Sequence, residues 1–272
     1  MADDPDILFI GCGNMGAALA AGFLSRRPEA RLLVVDPAVE RARALLPEGV
    51  AVGVVPSLPE AGGVSPRMTV LAVKPQSMDA VLPLLAPLPA SSGLVVSIAA
   101  GVGTGRIARA LPAARLVRAM PNTPAAVGAG ATGLWAGPAV GAADRALCES
   151  LFAPVGLVRW VGVEAEIDAV TAVSGSGPAY VFAVVEALAG AGETLGLPAA
   201  VAGELARATV IGAAEMLKRD GAEPGVLKAA VRSPQGTTDA ALEVFEAGDA
   251  LAVLFGRAVQ AAHDRAGELR GA

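Results

Sequence analysis

The strongest constraint on this chain is a change of rhythm near Gly162. Before it, short apolar runs recur at 7–10, 32–35, 50–55, 68–73, 94–98 and 115–119. Helix-like segments separate them at 14–24, 39–46, 78–85 and 104–111. The runs are nearly all apolar rather than alternating, which marks strands buried on both faces of a largely parallel sheet. After Gly162 such runs stop, and helical spacing takes over at 164–173, 177–195, 199–220, 224–232, 237–247 and 249–270. The stretch 125–161 is open: 128–137 reads as a strand, 141–152 as a helix and 155–161 as a last strand.

Residues 11–16, Gly-Cys-Gly-Asn-Met-Gly, stand between the first strand and the first helix. In that place Gly11 permits a tight turn, Gly13 lets the backbone approach a pyrophosphate, and Gly16 lets helix pack on strand. The N–H groups opening the helix from Asn14 and Met15 offer partial positive charge to phosphate. The expected fold is therefore α/β: an N-terminal Rossmann-type doubly wound sheet over 1–162, then an all-helical domain over 163–272.

Asp36 ends the second strand, where a carboxylate bonds ribose hydroxyls and favours NADH. Arg41 and Arg43 follow closely and suit a 2′-phosphate, so the cofactor reads as NADPH or NADH. The alternative for Asp36 is a turn residue, and for Cys12 a small apolar filler rather than a reactive thiol. Ala72, Val73, Lys74 and Pro75 close the fourth strand; Ser97, Ile98 and Ala100 close the fifth; Asn122 follows the sixth. All lie at the sheet edge where ligands gather.

Composition narrows the chemistry. The 272 residues are 54% apolar yet 3% aromatic, so the core packs through small side chains and close backbone approach. Mean hydropathy is +0.56, but charge, Gly or Pro interrupts the long apolar stretches; Tyr180–Gly192 carries Glu186. The acidic opening MADDPDILFIG does not read as a leader, which points to a cytoplasmic protein with no membrane partner. A net charge of −5 without a lysine-rich patch argues against nucleic acid. Cys12 and Cys148 lie far apart with no metal-ligand spacing, so no metal site is expected. The single histidine, His263, leaves no room for a triad or a His-rich zinc site.

Five segments share an order and content that resembles pyrroline-5-carboxylate reductase: GCGNMG at 11–16, AVKPQ at 72–76, MPNTP at 120–124, IDAVTAVSGSGPAY at 167–180 and RSPQGTTDAALEVFE at 232–246. The resemblance covers nearly the whole chain. It implies reduction of (S)-1-pyrroline-5-carboxylate to L-proline, the last step of proline biosynthesis, by hydride transfer from NAD(P)H, with NADPH the family's leaning. It also implies that the loops at 72–75, 97–100 and 122 line the cofactor and that Glu164 lies near substrate. By the same resemblance the helical domain forms an intertwined homodimer. A segment such as 177–195, apolar nearly all round, independently needs cover on every side.

A small anionic imine needs carboxylate donors and a proton source at nitrogen. Backbone N–H groups of Gly236, Thr237 and Thr238 at a helix start suit the carboxylate, with Ser233 beside them, and the Thr238 hydroxyl suits the ring nitrogen. The structural alternative for the two threonines is helix capping. The family pattern has two glycines in this loop, whereas this chain has Gln235 at the first, a strained choice if φ is positive there. Ser174-Gly175-Ser176-Gly177-Pro178 reads as a small-residue loop opening a helix. Three rivals remain: a β-hydroxyacid dehydrogenase, disfavoured because no lysine lies between Lys74 and Lys218; a non-catalytic NAD(P)-binding sensor; and a reductase of a related cyclic imine.

Overall fold

The structure, a computed structural model, describes residues 4–49 and 51–271. Its first strands and helices are β1 (Ile7–Ile10), α1 (Asn14–Arg26), β2 (Leu32–Val35), α2 (Val39–Leu45), β3 (Val52–Val55), α3 (Leu58–Ala61) and β4 (Met68–Leu71). They are followed by α4 (Met78–Leu85), β5 (Leu94–Ser97), α5 (Thr104–Ala110), β6 (Arg115–Met120), β7 (Gly130–Ala136), α6 (Ala142–Phe152) and β8 (Gly156–Trp160). The helical part holds α7 (Glu166–Val170), a π turn over Thr171–Gly175, α8 (Gly177–Thr194), α9 (Ala199–Asp220), α10 (Pro224–Ala230), α11 (Thr237–Glu246) and α12 (Ala250–Gly271). Val50, expected to open the third strand, and residues 1–3 of the acidic opening lie outside the described residues.

The strands form one sheet in the order β3-β2-β1-β4-β5-β6-β7-β8. Every neighbouring pair is parallel except β6 and β7. The sheet is covered on both faces. Ile7 and Phe9 face one side with Leu19 and Phe23 of α1 and Phe152 of α6. Leu8 and Ile10 face the other with Met78, Leu82 and Ile107. This two-residue alternation is why the strands read as continuous apolar runs. Each fully buried Leu, Ile or Phe contributes about 1.5–3 kcal/mol.

Compactness divides the chain into two units: residues 1–176 with 262–272, and residues 177–261. The strand pattern ends earlier, at Trp160, so the sequence rhythm breaks before the contacts do.

Residues 174–176 depart from the expected loop: the chain stays helical and widens into a π turn over Thr171–Gly175, closed by Ser176 N–H donating to Thr171 O at 2.8 Å. Proline chemistry accounts for part of this. Pro178 has no N–H for the carbonyl of Ser174, and the Asn122 side-chain amide donates to that carbonyl at 2.9 Å instead. The Thr171 and Ser174 hydroxyls donate back to the carbonyls of Ile167 and Val170 at 2.7 and 3.0 Å.

In the second unit α8 packs along α9, where a Cβ on Gly192 would lie 3.3 Å from the Ala202 Cβ. No residue of α8 is buried, and Val181, Phe182, Val184 and Leu188 are exposed. By length and composition the helical stretch Glu166–Thr194 could cross a membrane.

Candidate active site

The fingerprint loop is held by both its glycines and its neighbours. Gly11 has φ 95°, and a Cβ there would lie 2.7 Å from the Ala72 carbonyl oxygen. Gly11 N–H donates to Val35 O and Ala72 N–H to Ile10 O, each at 2.8 Å, which brings the ends of β1, β2 and β4 together. Gly13 is the N-cap of α1 without a side-chain cap, so the first N–H groups of that helix lack helical acceptors. A Cβ on Gly13 would meet no protein atom within 4 Å, which leaves space for a bound group.

This loop opens on a cavity of about 430 Å³ lined by Gly11, Cys12, Gly13, Asp36, Arg41, Ser57, Ala72, Val73 and Lys74, among others. A dinucleotide fits the donor set: uncapped helix N–H groups for pyrophosphate, and a carboxylate and a guanidinium at the ribose end. Asp36 is also a strut. Its Oδ2 accepts from Cys12 N–H at 2.7 Å and its Oδ1 from Ala38 N–H at 2.9 Å. Burial, and then the charge of Asp36, pushes the Cys12 thiol up to about 11 against a smaller lowering by Arg41. The thiol is therefore protonated near neutrality, consistent with a filler.

The other candidate cofactor residues lie outside this cavity. Asn14, Met15 and Gly16 form the first turn of α1, and Pro75 opens the turn before α4. Ser97 is buried at the end of β5, its hydroxyl accepting from Ala99 N–H at 3.4 Å; Ile98 and Ala100 follow it. Asn122 is engaged through both side-chain polar atoms, donating to Ser174 O and accepting from Ala131 N–H at 2.8 Å. It therefore ties β7 and the π turn to the end of β6. Sequence reasoning missed Ser57 on the cavity wall, because a serine before a short helix carries no distinctive signal.

Glu164 is engaged within the first unit. Its two oxygens accept from Thr104 N–H and Thr104 Oγ1, each at 2.7 Å, so it caps α5. Beside it, buried Arg118 donates to Asp168 at 3.0 Å, and Asp168 also accepts from Arg270 at 2.8 Å. This buried cluster was missed as well. A charged residue inside the apolar run of β6 was its available signal, since arginine is rarely buried unless paired.

The loop 232–238 belongs to the second unit. Gly236 is the N-cap of α11, again without a side-chain cap, so the threonines do not cap this helix. Gly236 N–H is not available to a substrate as expected: it closes a turn on Ser233 O at 2.9 Å. Thr237 and Thr238 supply the first helical N–H groups; Ser233 and Thr237 are exposed and Thr238 is half-buried. Gln235 has φ 59°, the left-handed conformation suspected from the missing glycine. Tyr180 lines a separate apolar cavity of about 330 Å³ with Val184, Leu254 and Phe255. His263 sits on α12, half-exposed beside Asp264.

A cavity suited to a dinucleotide at the reversal of a doubly wound sheet, in one chain with an apolar helical unit, is an architecture suited to nicotinamide-dependent oxidoreductases. Residues 6–101 match the family described as NADP oxidoreductase, coenzyme F420-dependent, and residues 164–269 match pyrroline-5-carboxylate reductase dimerisation. A pyrroline-5-carboxylate reductase of Pseudomonas aeruginosa is 43% identical over 267 residues, 97% of each chain. A pyrroline-5-carboxylate reductase structure from Coxiella burnetii superposes with a TM-score of 0.89 at 39% identity, over 98% of this chain and 99% of that one. The Plasmodium falciparum pyrroline carboxylate reductase with NADP bound gives 0.80 at 28% identity, over 98% and 99%. The chain belongs to the pyrroline-5-carboxylate reductase family.

Proposed function

We propose that this chain reduces 1-pyrroline-5-carboxylate to L-proline with NAD(P)H, using the two uncapped helix starts as its two anion holders. The cofactor, when bound, supplies a hydride from its nicotinamide ring. Gly13, Asn14, Met15 and Gly16 hold the pyrophosphate, with Gly11 making the turn. Asp36 faces the ribose, and the loops at 72–75, 97–100 and 122 shape the rest of the cofactor site. Residues 1–162 form the cofactor domain and residues 163–272 the substrate and dimerisation domain, of which 163–176 and 262–272 pack with the first unit.

The observation that carries the substrate reading is the N-terminus of α11, capped by Gly236 without a side chain on its donors. The Thr237 and Thr238 N–H groups bind the substrate carboxylate, Gly236 allows its close approach, and Ser233 adds a hydroxyl. The Thr238 hydroxyl donates to the ring nitrogen as charge shifts there. A basic imine arrives partly protonated, so orientation supplies most of the rate. Glu164, which the resemblance puts near substrate, holds the entry to α5.

The exposed apolar side chains of α8 are covered by a second copy, forming a homodimer, rather than by lipid; the matched dimerisation domain supports this, and the protein is cytoplasmic. The test is NAD(P)H oxidation with pyrroline-5-carboxylate. Wild type turns over, and Thr238→Ala loses about 10²-fold in kcat with cofactor affinity kept. Tight cofactor binding without turnover in wild type would favour a sensor, and faster turnover of the six-membered imine would change the substrate.

A further inference from the structure

Gln235 and Asp249 are the non-glycine residues with positive φ among the described residues, and Gln235 lies in the substrate loop. Its φ of 59° is a conformation that a side chain with a Cβ rarely adopts. Such a conformation persists when neighbouring contacts over-determine it. Here they do. Asp239, in the first turn of α11, accepts Gln235 N–H on Oδ2 at 2.9 Å. Its Oδ1 accepts from Arg232 Nε at 2.6 Å. Arg232 also donates to Glu246 at 2.9 Å, and Lys228 donates to the other oxygen of Glu246 at 2.9 Å. The carboxylate that grips the strained residue is thus itself held by Arg232, which Glu246 holds in turn.

Gln235 is joined directly to Gly236, whose dihedral angles, φ −82° and ψ 173°, set the directions of the next two N–H groups. Rotation at 235 therefore re-aims the donors of Thr237 and Thr238. We propose that Asp239 is a positioning residue for the reaction: locked by Arg232, it holds Gln235 left-handed and so aims the Thr237 and Thr238 donors at the substrate. The inference rests on reading 233–238 as the substrate loop. It also opposes a simpler expectation. A carboxylate near a helix N-terminus repels a bound anion, so if Asp239 acted only through its charge, removing it would tighten substrate binding.

A double-mutant cycle on the full-length enzyme separates these possibilities. Asp239→Ala is expected to lower kcat/KM for pyrroline-5-carboxylate about tenfold, with the KM for NAD(P)H unchanged. Glycine tolerates positive φ unaided, so in a Gln235→Gly background the same substitution should cost less than about twofold. Asp239→Asn, which keeps one acceptor, provides a milder second variant and should lose less than Asp239→Ala. A structural role alone would lower Tm equally in both backgrounds and leave kcat/KM unmoved. Equal kinetic losses in both backgrounds, no loss, or a lower substrate KM would overturn the proposal. Thr238→Ala in the same assay distinguishes the two failures. If it is impaired while Asp239→Ala is not, only the positioning role falls; if both are inert, the substrate loop itself is misplaced and the inference falls with it.

Discussion

In the fingerprint loop the left-handed residue is Gly11, with φ 95°; in the loop before α11 it is Gln235, with φ 59°. Both loops lead into a helix whose N-cap is a glycine with no side-chain cap, Gly13 in one and Gly236 in the other. Both are tied by a carboxylate to a backbone N–H: Asp36 to Cys12 at 2.7 Å, and Asp239 to Gln235 at 2.9 Å. The difference lies in where the constraint comes from. Asp36 reaches the first loop from the end of a neighbouring strand, and the Ala72 carbonyl closes off any side chain at Gly11. Asp239 lies four residues after Gln235, in the first turn of the helix that the loop opens, and its reinforcement among the described residues is a partly exposed ion-pair chain. A loop walled by a sheet can demand glycine. A loop braced locally can accept a different residue when a nearby acid supports it.

The largest expected effect comes from adding a methyl group where the wall is tightest. Gly11→Ala should weaken NAD(P)H binding more than about 100-fold in a fluorescence titration, because positive φ and the Ala72 carbonyl both oppose the Cβ. Unchanged affinity would show that the first loop is no more demanding than the second. Removing the first loop's strut is milder. Asp36→Ala should lower kcat/KM with NADH about tenfold and shift preference toward NADPH, since a carboxylate that bonds ribose hydroxyls also repels a 2′-phosphate. An unchanged cofactor ratio would make Asp36 a strut alone.

The smallest effect concerns pH. The Arg232 hydrogen bond, and then the Gln235 N–H, hold the Asp239 carboxyl below the usual carboxylate range. A group depressed in the folded state contributes its stabilisation above its unfolded pKa and loses it as pH falls through the folded value. Arg232 stays charged, and Glu246, depressed first by Lys228 and then by Arg232, stays ionised over the same range. The brace should therefore leave no limb in the kcat/KM profile between about pH 5 and 8, and loosen only in stronger acid. A limb in that window that disappears in Asp239→Ala would contradict this.

Much of the first unit was legible because buried parallel strands and their helices carry different periods. The direction of β7 was not, since the apolar pattern of a strand is the same whichever way it runs. The π turn was hidden too. Pro178 signalled a missing donor, but the compensating amide of Asn122 is far away in sequence. In the loop before α11 the threonines and the oddity of Gln235 were visible from residues and resemblance together. The Gly236 N–H being spent on Ser233, and the Asp239 bond to Gln235 N–H, depend on local geometry that composition does not encode.

The most direct test is a crystal structure of the full-length protein with oxidised cofactor and L-proline. The proposed function predicts cofactor pyrophosphate on the N–H groups opening α1 and the proline carboxylate on those of Thr237 and Thr238. Proline held elsewhere, with the α11 start bare of ligand, would contradict it.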